Sequence, residues 1–136
     1  MPPEPFLQRA LRFGRALIVG SGATLADFSV FTTCVRLVGM GPSAARLPAL
    51  LTGACFQFFG NRSFTFRAQA GSLTRQAWLF AVAEAITLGL NWSIFHLLVT
   101  HIDAVPPELL GFLGTFITFV AFAYPVRRWV VFRMPR

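Results

Sequence analysis

Two carboxylates stand alone in long apolar stretches: Asp27, between Ala16 and Val35, and Glu84, between Gln76 and Ile102. A carboxylate at mid-bilayer costs about 2.5–3.5 kcal/mol on insertion scales, so such a group faces the protein interior and carries a task. Asp27 lies eleven residues past Ala16, about 16 Å along a helix and near the midplane of a membrane. Glu84 lies nearer one edge, about 9 Å in. Asn91 stands at the position equivalent to Asp27 in a repeated pattern described below, with Thr24 and Thr87 one turn before the two. Carboxylates, amides and hydroxyls exchange several hydrogen bonds with a polyol, which makes Asp27, Glu84, Asn91, Thr24 and Thr87 a candidate pathway for a sugar. A proton-coupled step through Asp27 or Glu84 is a further role for intramembrane acids. The plainer role is bonding across helices, or pairing with an arginine such as Arg15.

Arginines supply the second kind of chemistry. All twelve basic residues are Arg. Arg62 beside Asn61, and Arg127 and Arg128 beside Trp129, sit just past apolar runs. There a planar guanidinium fork matches the oxygens of a lipid phosphate. Asn61, Arg62, Arg127, Arg128 and Trp129 are therefore candidates for lipid-phosphate binding. Anchoring alone would also place Arg and Trp at this level. Arg9, Arg133 and Arg136 are assigned to topology only.

These residues need elements to hold them. The chain has 136 residues, is 55% hydrophobic and only 12% charged, and contains 16 Phe. A compact soluble shape of this size cannot hide so much apolar surface. The composition excludes a soluble enzyme, a disordered tail and a disulfide-stapled module. Four apolar runs predict helices that span a membrane at about 16–36, 43–61, 76–101 and 108–127, preceded by a short amphipathic helix at 5–15. The second span is the shortest, and it is expected to start with Ser43 as its N-cap and Arg46 snorkelling to the headgroups. Ten arginines flank one side of these spans, and only Arg36 and Arg46 flank the other. That bias predicts a fixed topology with both termini cytoplasmic. Arginines that bracket apolar runs argue against nucleic acid as a partner.

The two halves resemble each other. Asp27-Phe28-Ser29-Val30-Phe31 aligns with Asn91-Trp92-Ser93-Ile94-Phe95, and Pro42 with Pro106. Arg62-Ser63-Phe64-Thr65-Phe66-Arg67 aligns with Arg128-Trp129-Val130-Val131-Phe132-Arg133. The expected fold is an all-α integral membrane protein of four transmembrane helices, arranged as two parallel-repeat helical hairpins in a single domain, 1–136. Small residues at Gly20-Ser21-Gly22-Ala23, with Gly53, Gly111 and Gly114, would permit close helix packing or a homo-oligomer. His96 and His101 read as interfacial caps. No residues at metal-ligand spacing appear in the sequence, and no cofactor or metal is expected.

Arg12-Phe13, Val19-Gly20, Asp27-Phe28, Asn61-Arg62-x-Phe64-Thr65-Phe66 and Arg128-Trp129-x-Val131-Phe132 together resemble the GtrA-like family of small bacterial membrane proteins. The likeness runs from about Arg12 to Arg133. Where many relatives have Asn four residues before the Asn-Arg pair, this chain has Gln57, and Ala123 in the second half. The resemblance implies four spans with cytoplasmic ends in the bacterial cytoplasmic (inner) membrane. It also implies a part in cell-surface polysaccharide synthesis: flipping a polyprenyl-phosphate-linked sugar across the membrane. An alternative is a non-transporting anchor or partner subunit of a glycosyltransferase. A small-cation exporter ranks last, because such proteins tolerate weak charge bias. No nucleophile–base pair or phosphate-cradling loop is present, so catalysis is not expected.

Overall fold

The computed structural model describes residues 2–134. Arg136, counted above among the topology arginines, lies outside them. The described chain is helical, without strands, and divides into two compact units after Gln69. Each unit is a hairpin of two helices, so the unit boundary falls where the repeat predicts it.

In the first unit, α1 (Phe6–Thr33) runs on through a π-helical turn, Cys34–Val38, and ends at Gly39, whose φ of 80° lets the chain reverse. The expected amphipathic segment and first span are thus one uninterrupted helix, because nothing between Phe6 and Ala16 breaks it. Helix α2 (Pro42–Gly60) starts with Pro42 at its first position and extended Gly41 as its N-cap, so Ser43 does not cap it. Proline is well suited there, since its missing N–H has no partner to lose. Pro48 lies inside α2. A second π turn, Asn61–Thr65, ends the hairpin.

In the second unit, α3 (Leu73–His101) begins three residues earlier than expected, where the Ser72 hydroxyl accepts from the Arg75 N–H at 3.3 Å. Helix α4 (Pro107–Thr118) starts on Pro107 with Pro106 as its N-cap. It continues through a π turn (Phe119–Ala123), the short α5 (Tyr124–Val126) and a last π turn (Arg127–Val131).

Among the described residues, three continuous helical stretches are long and apolar enough to cross a membrane: Phe6–Val38, Leu73–His101 and Pro107–Val131. The helix expected as the remaining span, α2, has 19 residues but does not qualify, because Arg46 and Gln57 dilute its apolar content. Large apolar side chains such as Phe112, Trp78, Leu37 and Leu25 are exposed on the helices. No water-soluble fold leaves so many uncovered.

Burial repeats with the sequence. Ala16, Val19 and Ala23 on α1 correspond to Phe80, Ala83 and half-buried Thr87 on α3, each 64 residues on. Ala45, Ala49 and Gly53 on α2 correspond to Leu110, Gly114 and Thr118, each 65 residues on. Helix starts follow the same 65-residue offset, which pairs Pro42 with Pro107 rather than with Pro106. The tails differ by 66: Asn61 and Thr65 are buried in one, Arg127 and Val131 in the other.

The extra residue in the second unit has a visible home. One inserted residue would rotate the rest of an α-helix by about 100°. A π turn absorbs it, because its hydrogen bonds close one residue later. The turn Phe119–Ala123 has no counterpart in α2. It lies just before Pro125, whose ring would otherwise press on the carbonyl four residues back. Arg127 therefore keeps the inward face that Asn61 has in the first unit.

Close packing in the first hairpin depends on glycine. A Cβ at Gly53 would lie 3.1 Å from Asp27 Cβ and 3.3 Å from the Ala23 carbonyl oxygen, and one at Gly60 would lie 2.7 Å from a Val19 methyl. Gly60 was not among the expected packing glycines, and Gly20, which was, has nothing within 4 Å. Gly53→Val should lower hairpin stability by about 1–3 kcal/mol, because backbone cannot yield as a side chain does. Gly14→Ala, in open space on α1, should be neutral or slightly stabilising. Thermal unfolding of the purified variants in detergent checks both.

Candidate functional site

The polar residues of the spanning helices find partners inside their own hairpins. In the first unit, Arg46 Nη1 donates to Asp27 Oδ1 at 3.0 Å. Arg46, expected to snorkel to the headgroups, thus has one nitrogen engaged by the Asp27 carboxylate, whose opposite charge attracts it. Gly53 sits against Asp27 and leaves room for this pair. The Thr24 hydroxyl donates to the Gly20 carbonyl at 3.1 Å, a bond back to its own helix.

In the second unit, Glu84 and Arg127 form an ion pair, and the Arg127 guanidinium lies 5.4 Å from the centre of the Phe80 ring. Arg127 is buried and Glu84 half-buried. Asn91 Nδ2 donates to Thr115 Oγ1 at 3.2 Å, which in turn donates to the Gly111 carbonyl. Thr87 donates to the Ala83 carbonyl at 2.7 Å. Asp27 and Asn91, at equivalent repeat positions, therefore each bond the second helix of their own hairpin. Among the expected pathway residues Asp27 and Glu84 are held by arginines, and neither arginine is Arg15, which lies over the Phe64 ring instead.

The two tails share one geometry. Each ends in a π turn, closed by the Phe66 N–H on the Asn61 carbonyl at 2.8 Å and by the Phe132 N–H on the Arg127 carbonyl at 2.9 Å. The first residue of each turn, Asn61 or Arg127, is buried, the next, Arg62 or Arg128, is half-buried, and the two after it are exposed. Asn61 Nδ2 donates to the Gln57 carbonyl at 2.9 Å, while its Oδ1 is buried without a partner. Arg62 Nη2 donates to the Gln69 carbonyl at 2.9 Å, which folds the segment after the turn back on itself. Arg128 lies 5.3 Å over the exposed ring of Trp129.

Of the five candidate phosphate ligands, then, Arg62, Arg128 and Trp129 lie within reach of solvent or lipid. Asn61 and Arg127 are turned into the hairpins. Their inward position follows from the helical period, which puts the first residue of each tail on the same face as the buried stripe before it. Two participants escaped the sequence reading. Arg46 was assigned to the headgroups, and Thr115 carried no signal beyond its spacing from Gly111. His101 Nδ1 lies 2.9 Å from the Leu97 carbonyl, and His96 stacks on Trp92 at 5.3 Å between ring centres. Among the described residues no group of three or more His, Cys, Asp or Glu is placed to hold a metal ion.

A family model described as the GtrA/DPMS transmembrane domain matches residues 15–132. The chain belongs to the GtrA/DPMS family. No curated protein and no solved structure matches it. Membership together with the long apolar helices makes it a multi-pass membrane protein, and the family associates it with lipid-linked sugar processing. The matched segment starts at Arg15 and takes in both hairpins and both π-turn tails.

The Glu84–Arg127 pair can be tested directly. Glu84→Ala strands a buried guanidinium and should cost about 3–5 kcal/mol. The double variant Glu84→Leu/Arg127→Met should regain most of that loss, because it removes both charges together. Chemical unfolding in detergent measures the difference.

Proposed function

We propose that this GtrA/DPMS protein moves a polyprenyl-phosphate-linked sugar across the bacterial cytoplasmic membrane for cell-surface polysaccharide synthesis or modification. The observation that carries this reading is the duplicated tail. Twice in the chain, a buried residue opens a π turn and sets an arginine beside it at the surface: Asn61 for Arg62, Arg127 for Arg128. Arg62, and Arg128 with Trp129, would receive the lipid phosphate, and Asn61 and Arg127 would position them.

In this reading α2 crosses the bilayer as the fourth span. Its 19 residues cover about 28 Å, close to the roughly 30 Å of hydrocarbon. Pairing with Asp27 of α1 lowers the cost of the Arg46 charge that weakens its hydropathy. Both termini are then cytoplasmic, as the arginine bias requires. Asp27, Glu84, Asn91, Thr24 and Thr87 supply hydrogen bonds to the sugar hydroxyls. The chain acts without catalysis, cofactor or metal. Its partners are the lipid-linked sugar, the surrounding lipids and, in some assemblies, a glycosyltransferase or further copies of itself.

One observation favours the alternative of a non-transporting anchor for a glycosyltransferase. The stretch Phe6–Val38 has 33 residues, about 50 Å, so α1 outruns the hydrocarbon by several turns. Its first turns carry Phe6, Leu7 and Leu11 exposed, an apolar face on which a partner could rest.

Transport and anchoring separate in vesicles. The purified chain, reconstituted with a fluorescent polyprenyl-phosphate sugar, should expose the lipid to an impermeant quencher or enzyme on both faces. Arg62→Ala with Arg128→Ala should slow that exchange about tenfold or more, since each removes a charge-assisted phosphate contact. Movement no faster than in empty vesicles would overturn transport by this chain and leave the anchoring role.

A further inference from the structure

Arg46 holds an odd position for a cation near the end of a membrane helix. It lies four residues past Pro42, the first residue of α2, about 6 Å from the helix start. Water is within reach of so long a side chain, yet the guanidinium turns toward Asp27. The bond between them is single, through Nη1, and it is the only ion pair of Arg46 among the described residues. A guanidinium has five N–H donors. The rest of the Arg46 fork is unspent, and its side chain is 54% exposed while that of Asp27 is 20% exposed.

The pair is exposed rather than buried, so the remaining donors of the fork are accessible. An arginine steadied by a carboxylate at one nitrogen, with its remaining edge open, is prepared for a second anion. Arg62 stands 16 residues farther on, just beyond the other end of the same helix. That is about 24 Å along the axis. At levels between them, Leu51, Thr52, Cys55, Phe56, Phe59 and Gly60 line a shallow, open apolar groove on the surface of α2 that neither arginine lines. A cation at each end of one helix with an oily trough between suits an amphiphile that has a phosphate head and a hydrocarbon tail.

We propose that Arg46, tethered by Asp27, is a second phosphate-headgroup site at the end of α2 opposite Arg62, where the transported lipid is received or discharged. This deepens the transport reading and rests on it. Asp27 is then a competitor as well as a tether. Its charge neutralises Arg46 in the empty state, and repels a phosphate bound on the open edge of the fork. The competition keeps the site weak enough to release its ligand.

The two residues consequently have opposite expected effects, which a simple structural ion pair would not show. Equilibrium binding of a water-soluble ten-carbon prenyl phosphate to the purified full-length chain is measured with Arg62→Gln and Arg128→Gln present, to silence the other sites. Residual binding should remain. Adding Arg46→Gln should weaken it about tenfold or more, whereas adding Asp27→Asn should tighten it about fivefold. Arg46→Lys keeps the charge without the fork and should bind at an intermediate level. It also serves as the folded comparison should Arg46→Gln lose helicity by circular dichroism. Inorganic phosphate in place of the prenyl phosphate should bind more weakly if the groove takes the tail; equal affinity would mark a free-phosphate site and overturn the lipid assignment. Binding that vanishes in the Arg62→Gln/Arg128→Gln chain, or that Arg46→Gln leaves unchanged, overturns the Arg46 site alone. Failure of the unsubstituted chain to bind prenyl phosphate at all would take the transport reading with it.

Discussion

Hydrocarbon offers no hydrogen bonds, and nearly everything in this molecule follows from that constraint. Each polar group on a long apolar helix has to be satisfied by the protein or stay at the boundary. Asp27 is met by Arg46, Glu84 by Arg127, and Asn91 by Thr115. Thr24, Ser29, Thr33, Thr52, Thr87 and Ser93 turn their hydroxyls back on carbonyls four residues earlier. Because the hydrophobic effect cannot press helices together in oil, the Asp27–Arg46 bond and the close contacts at Gly53 and Gly60 hold the first hairpin instead.

Duplication shows how tightly the same constraint limits drift. The offset between halves grows from 64 along the first helices to 65 along the second and 66 in the tails. One step is taken in the connection, where length is free. The other falls within a helix that must keep a charged residue on its inward face, and there the backbone widens into a π turn. Had the helix stayed regular, Arg127 would have swung toward lipid and Glu84 would have lost its partner. The halves have also diverged chemically. Arg127 occupies the position of Asn61, and Glu84 that of Gly20. A neutral amide thus serves in one half where an ion pair serves in the other.

For the proposed transport of a lipid-linked sugar this division of labour would be useful. Buried residues at the head of each tail hold the turn in place, and the adjoining arginines are left half-exposed for work at the boundary. Under that proposal the phosphate lipid would contribute its own hydrocarbon, and the protein would have to shelter only the headgroup.

Composition and apolar runs were enough to define an all-helical membrane chain and to place its helix starts within a few residues, aligned residue blocks its internal repeat, and the residues at 61–66 its resemblance to the family. Those properties are local or additive: apolar runs, helix-starting prolines and arginine counts can be read residue by residue. Tertiary structure decided which partner each charged group takes. Asp27 and Arg46 are 19 residues apart, and Glu84 and Arg127 are 43 apart. Only the antiparallel return of each hairpin brings them level, and whether Arg127 points inward depends on a single widened turn. Pairing across a hairpin is set by rotation about two helix axes, and a one-dimensional pattern leaves that rotation open.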